Sequence, residues 1–431
     1  MAGRARTVGG ARLPAGESRV GRVVETTVER IVPGGAGLAF AEGRTVFVDL
    51  AAPGDRVRVR IDREQGRTGF GSIMEILEPS PVRVEPPHPD FIRCGGADFQ
   101  HLTYDGQLEA KVGIVEDCLR RIGRIDPPGP ISIIPSPQVW NYRARVEWQH
   151  DAQAGRLGYF EANSRTVCDV RHCSMTVPEL NDLLADLRRR LEVGELPADV
   201  KEFHAASGDG GVALSPPLNA EQGTELERVI ADERYRFDAE TFFQVNPFVL
   251  DSLVREALRF TGAAVGHEET VDRAGRARGL AVDLFCGVGL FTVPLARRYR
   301  RVIGIESHRG AAAFATRNLE EAEQRYARVE TARVDEWLRA RAGRLAPAAF
   351  VLLDPPRTGI DRATIAGLLR LRAPLLTYVS CDPATLARDL RGLLDGGYRL
   401  DAVVALDLFP QTHHVEVVAH LLREEDGVDA A

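Results

Sequence analysis

The segment Leu280-Ala-Val-Asp-Leu-Phe-Cys-Gly-Val-Gly-Leu-Phe-Thr292 constrains the fold more than any other. An apolar strand, interrupted only by Asp283, runs into a turn holding Gly287 and Gly289, and a helix start follows. Glycines at such a turn let the backbone approach a ligand closely. The next strand, Arg301-Val-Ile-Gly-Ile305, ends in Glu306, an acid placed to accept hydrogen bonds from a ribose. From there the texture alternates strand and helix, which predicts a mostly parallel sheet. Ala349 to Leu353 is another strand, with Asp354 at its carboxyl tip, and Asp335 ends a further segment facing the adenine end of a nucleotide. Leu375 to Val379 is a buried strand that stops at Ser380-Cys-Asp-Pro383, where the proline turns the chain into a helix. Cys381 is thus displayed at the carboxyl end of a strand, where open α/β sheets bind ligands.

With 431 residues the chain holds two or three domains, and 44% hydrophobic with 27% charged residues describes an ordinary soluble protein. A net charge of -7 gives no global nucleic-acid signal but leaves room for a local basic surface. Six scattered cysteines (Cys94, Cys118, Cys168, Cys173, Cys286 and Cys381) point to a reducing cytoplasm rather than a disulfide framework. The amino terminus lacks the apolar core of a signal peptide, and no run approaches a membrane span. The expectation is a cytoplasmic monomer.

Residues 1–18 are small, glycine-rich and basic, a disordered tail. Residues 19–80 alternate in five short strands separated by Pro33-Gly34-Gly35, Pro53-Gly54-Asp55 and the loop around Gly66, which predicts a small barrel. Arg56, Arg58 and Arg60 share one strand face, either tracking phosphates or simply solvated. The proline-rich stretch Pro79 to Pro89 reads as a linker into a small α+β region over 81–240, and 241–431 forms the α/β domain. Gly262 to Gly279 is a polar loop.

The barrel's turns and strands resemble a TRAM domain, an OB-like RNA-binding barrel. Asp-x-x-Cys-Gly-x-Gly at 283–289 resembles the first motif of class I S-adenosylmethionine methyltransferases, a Rossmann-like fold. A nicotinamide dinucleotide site is the rival, but the third fingerprint glycine is missing. Asp354-Pro-Pro-Arg357 lacks the aromatic that an adenine-N6 methyltransferase places after the prolines. Together with Phe242-Phe-Gln-Val-Asn246, Ser380-Cys-Asp-Pro383 and Gln411-Thr-His-His-Val-Glu416, these segments resemble RNA uracil-C5 methyltransferases. The resemblance implies S-adenosylmethionine as cofactor, held by Gln244, Phe285, Gly287, Gly289, Glu306, Asp335 and Asp354. It implies Cys381 as nucleophile, Glu416 as general base and RNA as partner, 23S ribosomal RNA ahead of transfer RNA. His413 and His414 read as satisfied loop histidines, and Asp382 as a contact to the ring.

Some relatives carry a [4Fe–4S] cluster on a Cys-x5-Cys-Gly-Gly-Cys motif and a distal cysteine. Here His88 and Ala97 stand at two of the four positions, leaving Cys94 and Cys173. A cluster needs four thiolates, so neither a cluster nor another metal is expected.

The chemistry accounts for the residue types. Uracil C5 is a poor nucleophile until a thiolate adds at C6 and turns the ring into an enolate. A base must later remove the C5 proton so that the thiol is eliminated. The helix after Pro383 offers a positive end to favour the thiolate. A cytosine-C5 methyltransferase typically has a second cysteine after a proline of this motif, and Asp354-Pro-Pro-Arg357 offers no second thiol. A non-catalytic RNA-binding factor retaining the fold is the rival from another class.

Overall fold

Five strands close into a barrel at the start of the computed structural model, which describes residues 19–88, 91–162, 164–219, 223–261 and 275–424. The tail 1–18 and most of the 262–279 loop lie outside the described residues. The strands are β1 (Val23–Ile31), β2 (Gly37–Ala41), β3 (Arg44–Asp49), β4 (Arg56–Gln65) and β5 (Thr68–Glu78), in the order β1-β2-β3-β5-β4. Alternation puts Val57, Val59 and Ile61 of β4 inside and its arginines outside. The arginine face is not free. Arg56 pairs with Glu25 and Glu78, Arg58 with Glu25 and Glu75, and Arg60 with Asp62.

The proline-rich stretch is pinned rather than loose. Buried Asp55, closing the Pro53-Gly54 turn, accepts from the Ala52 and Ser80 amides at 2.7 and 2.9 Å and from Arg83 at 2.6 Å. Next come α1 (Tyr104–Cys118), capped by Thr103, and β6 (Ser132–Ile134). Counted along the chain these belong to the middle region, yet they join the α/β domain: β6 pairs in parallel with its edge strand and α1 packs on its core. The middle region proper is a five-stranded sheet of β7 (Arg145–Asp151), β8 (Arg156–Phe160), β9 (Val167–Asp169), β10 (Glu202–Gly208) and β11 (Gly211–Ser215), ordered β11-β10-β7-β8-β9. The amphipathic α2 (Pro178–Glu192) seals it with Leu180, Leu184 and Leu187, and the hairpin β12 (Glu225–Ile230) and β13 (Glu233–Asp238) follows.

After α3 (Leu250–Ala257) the large sheet begins. Its elements are β14 (Ala277–Leu284), α4 (Thr292–Arg298), β15 (Tyr299–Glu306), α5 (Arg309–Glu321), β16 (Ala327–Thr331), α6 (Val334–Leu345), β17 (Phe350–Leu353), α7 (Arg362–Leu371), β18 (Leu375–Ser380), α8 (Pro383–Asp395), β19 (Tyr398–Leu406) and β20 (Glu416–Arg423). The order is β16-β15-β14-β17-β18-β20-β19-β6, parallel except for β20. Strands such as β17 are buried throughout because helices cover both faces: α1, α6, α7 and α8 on one, α3, α4 and α5 on the other. Strand order reverses between β14 and β17, which opens a crevice at the carboxyl ends.

Candidate active site

Four strand ends meet at that crevice. β14 delivers Phe285 to Gly289, β15 Glu306, β17 Asp354 and β18 Cys381. β20 runs the other way, so its first residue, Glu416, lies at the same edge. Ser380 pairs with Val417, and one step further along this antiparallel ladder Cys381 stands opposite Glu416.

The cofactor half is built by backbone conformation. Phe285, Gly287 and Gly289 all have positive φ, at 61°, 54° and 95°. At Gly287 a Cβ would point into open space, while at Gly289 it would press on Ala315 at 3.4 Å. Glu306 braces the turn by accepting from the Gly287 amide at 3.0 Å and the His308 amide at 2.7 Å. Asp283, fully buried, accepts from Thr292 at 2.5 Å, and its other oxygen has no hydrogen-bond partner among the described residues. Burial, with Asp354 and Glu306 nearby, pushes its carboxyl up to about 8. An orphaned buried acid, a bare glycine facing open space and a ribose-height glutamate fit a positively charged nucleoside cofactor. An acid inside an otherwise apolar strand is the sequence signal for Asp283.

Asp335 follows the carboxyl end of β16. It stands in the first turn of α6, four residues beyond the end of β16, ion-paired with Arg333 at 3.2 Å and Arg339 at 3.7 Å. Gln244 is half-buried on the segment between β13 and α3. That segment runs past the start of α5, since Thr241 lies beside Gly310.

At the catalytic end, Cys381 directly precedes α8. Asp382 caps the helix, its Oδ1 accepting from the Ala384 and Thr385 amides at 2.9 Å each. Burial and then Glu416 push the Cys381 thiol up to about 12, with Arg357 pulling it back down. The helix end therefore does not by itself yield a thiolate. Asp354 is raised to about 7 by burial, and Glu416, 2% exposed, is raised by burial and by Asp354 against the pull of Arg357. The three acids share one small volume with one guanidinium.

Beside them a cavity of about 390 Å³ is lined by Arg143, Arg145, Phe242, Arg357, His413 and His414, among others. Phe242 is 61% exposed, an unusual position for a phenyl ring. Arg143 and Arg145 alternate in the stretch Asn141-Tyr-Arg-Ala-Arg145, a pattern that resembles ordinary strand texture in the sequence. His413 is clasped by Asp98, whose carboxylate takes its ring Nδ1 and, at 2.8 Å, its amide. Burial, then His413 and Arg357, push His414 down to about 3, so it is neutral. The loop before Glu416 is heavily anchored. Lys111 bonds Asp407 and the Phe409 carbonyl, Gln107 exchanges two hydrogen bonds with Gln411, and Tyr142 reaches the Pro410 carbonyl at 2.8 Å. The barrel joins in: at Gly35 (φ 84°) a Cβ would lie 3.0 Å from Asp98 and 3.1 Å from His413.

His88, Cys94, Ala97 and Cys173 do line one further cavity, but two thiols do not fit a four-thiolate cluster. No helix among the described residues is long and apolar enough to cross a membrane.

Residues 228–424 match the family tRNA (uracil-5-)-methyltransferase, and residues 17–74 match the TRAM domain. An uncharacterized RNA methyltransferase of Thermosynechococcus vestitus is 32% identical over 93% of this chain and 98% of its own. The 23S rRNA (uracil(1939)-C(5))-methyltransferases of Vibrio parahaemolyticus and Pseudomonas entomophila are 30% and 31% identical. They match over 91% and 96% of this chain and 94% and 98% of theirs. The crystal structure of the Pyrococcus abyssi tRNA (uracil-54, C5)-methyltransferase with S-adenosyl-L-homocysteine shares the fold. Its TM-score is 0.69, at 24% identity, over 92% of this chain and all of that one. The chain belongs to the RNA uracil-C5 methyltransferase family, S-adenosylmethionine-dependent enzymes, and carries an amino-terminal TRAM domain.

Proposed function

We propose that this enzyme methylates C5 of one uridine in 23S ribosomal RNA through a covalent adduct on Cys381. The observation that carries the reading is the β18–β20 register, which sets Cys381 opposite Glu416 beside Arg357 and Asp354. The ribosomal target is supported by the Vibrio and Pseudomonas enzymes; the archaeal tRNA enzyme is likened by fold alone.

The thiol of Cys381 gives its proton to solvent water, and Arg357 and the amino end of α8 stabilise the sulfur anion left behind. The thiolate adds to C6, and the ring electrons move to O4 as an enolate, so that C5 becomes nucleophilic. Phe285, Glu306, Asp283 and Asp354 would hold S-adenosylmethionine, which would supply an electrophilic methyl group for that carbon, its sulfonium sulfur leaving as a neutral thioether. Glu416, ionised, then takes the C5 proton, and the C6–sulfur bond breaks to restore the ring. Burial raises the affinity of Glu416 for a proton, which makes its carboxylate a stronger base than an exposed one. Phe242 offers a stacking face for a base withdrawn from its helix, and Arg143 and Arg145 offer charge for its flanking phosphates.

The test is to map 5-methyluridine in total RNA from a strain lacking the gene. Loss at one large-subunit rRNA position, restored by wild type and not by Cys381→Ala, is the expected result. Loss in transfer RNA alone would overturn the choice of substrate, and no loss anywhere would overturn the activity.

A further inference from the structure

The cavity that holds Cys94 and Cys173 adjoins the active-site cavity. Ala97 and Tyr159 line both, so the two share a wall. That wall is thin. Around the point where a Cβ on Gly96 would stand lie the Cys94 sulfur at 3.4 Å, Arg143 Nη1 at 3.7 Å and Met175 Cε at 3.9 Å. Cys94 and Met175 line the first cavity and Arg143 the second, so one guanidinium stands at their border, donating to the Gly96 carbonyl at 3.3 Å. The first cavity encloses about 380 Å³. Its buried lining, Phe91, Gln100 and Met175, is uncharged, while the basic Arg171 and His172 are exposed. Burial pushes the Cys94 thiol up, which keeps it neutral. The one carboxylate on the wall, Asp169, is already gripped by Arg188 at 2.6 and 2.9 Å. Such a lining suits a neutral flat ring rather than a phosphate. A separate observation points to a ligand that donates a hydrogen bond. Gln100 is 5% exposed, and its buried side-chain oxygen has no hydrogen-bond partner among the described residues.

We propose that this cavity takes a second base of the substrate RNA, an unpaired adenine close to the target uridine, and that Gln100 reads its edge. The proposal rests on RNA being the substrate and not on which uridine is methylated. A carboxamide presents an acceptor beside a donor, and adenine presents an N–H donor beside a ring-nitrogen acceptor on both of its edges. The orphan oxygen of Gln100 accepts from the adenine N6–H, and the amide nitrogen donates to the neighbouring ring nitrogen. Phe91 and Met175 give the ring apolar surface. Arg143, at the border, meets backbone phosphate running between the two bases. A second base held out of the stack keeps the strand open, so that the target uridine does not restack while the methyl group is transferred.

The test is equilibrium binding of the full chain to fluorescently labelled single-stranded uridine hexamers, without cofactor. Each hexamer of one series carries a single adenosine at a different position, and a second series carries guanosine instead. At least one adenosine position should bind roughly 5- to 100-fold more tightly than the all-uridine hexamer. Gln100→Leu should remove that gain while still binding the all-uridine hexamer as wild type does. Gln100→Glu, which offers two acceptors and no donor, should move the gain to guanosine, whose N1–H and N2–H both donate; a merely structural role for Gln100 would not switch the preferred base. Circular dichroism checks the fold of each variant. In wild type, 8-azidoadenosine at the favoured position should cross-link to the peptides containing Cys94 to Gln100 or Arg171 to Met175. No adenosine gain in wild type, a gain that survives in folded Gln100→Leu, or cross-links confined to other peptides would overturn the proposal. Those failures would leave the 5-methyluridine map untouched, and a map that names another RNA would leave the hexamer result untouched.

Discussion

Arg56, Arg58 and Arg60 on the barrel each face a carboxylate, whereas Arg143 and Arg145 in the active-site cavity are held by carbonyl oxygens. Arg145 donates to Thr241 and Glu240 at 2.8 and 3.1 Å, and Arg143 to Gly96 at 3.3 Å. A carboxylate cancels the charge of its partner, while a carbonyl fixes the guanidinium and leaves its charge in place. The acids show the same division. Those on the barrel are neutralised across the strands, while Asp283, Asp354 and Glu416 are buried with their proton affinities raised. The barrel thus spends its charges on its own stability and offers shape. The crevice keeps charges uncompensated for a cationic cofactor, an anionic backbone and a ring that becomes negative.

Breaking the reacting pair should have the largest effect. Cys381→Ala should lower the single-turnover methylation rate by roughly 10⁴-fold or more, as loss of a nucleophile does. Glu416→Gln should cost roughly 10²- to 10⁴-fold in turnover. Unlike Cys381→Ala, it should let the protein–RNA adduct accumulate on denaturing gels.

Charge paired in the interior is a third case. Lys111 and Asp407 are both fully buried and bonded to each other. Lys111→Met strands the carboxylate and should destabilise the fold by about 3–5 kcal/mol in urea unfolding, with much of this recovered in Lys111→Met/Asp407→Leu.

Asp354 yields a pH test. Its carboxyl, raised to about 7, is ionised above that pH and protonated below it. Affinity for the cationic cofactor, measured by calorimetry, should therefore fall by up to about tenfold per unit as pH drops below 7. Asp354→Asn should bind weakly and lose this dependence.

The smallest effects test the arginine contrast itself. Arg145→Ala should weaken RNA binding several-fold and reduce the salt slope of log K by about 0.7–0.9. Arg58→Ala on the barrel should leave both within about twofold. Equal effects would erase the distinction drawn above.

Much of this architecture is written locally. Turn residues such as Pro33-Gly34-Gly35 and the alternation on β4 specify the barrel, and Leu280 to Thr292 announces the nucleotide crevice. What the chain conceals is long-range. Alternation exposes Arg56, Arg58 and Arg60, but the carboxylates facing Arg56 and Arg58 arrive from β1 and β5, and no local pattern announces cross-strand partners. The helix α1 escapes notice because polar Gln107 and Lys111 are buried in it, serving the catalytic loop about three hundred residues away in place of an apolar stripe. Asp335 and Asp382 lie just past strand ends, and each also stands at a helix start and is engaged by its own helix. The meeting of Cys381 with Glu416 needs β20 inserted antiparallel between β18 and β19, a register that motif order cannot supply.

The central claim is that Cys381 bonds to a uracil ring. Incubating the enzyme with S-adenosylmethionine and rRNA carrying 5-fluorouridine, whose C5 has no proton for Glu416 to remove, tests it directly. A denaturation-stable complex whose nucleotide mass maps to the peptide containing Cys381, and is absent in Cys381→Ala, is predicted. Methylation of unmodified RNA without any trapped complex, or a complex that survives Cys381→Ala, would contradict it.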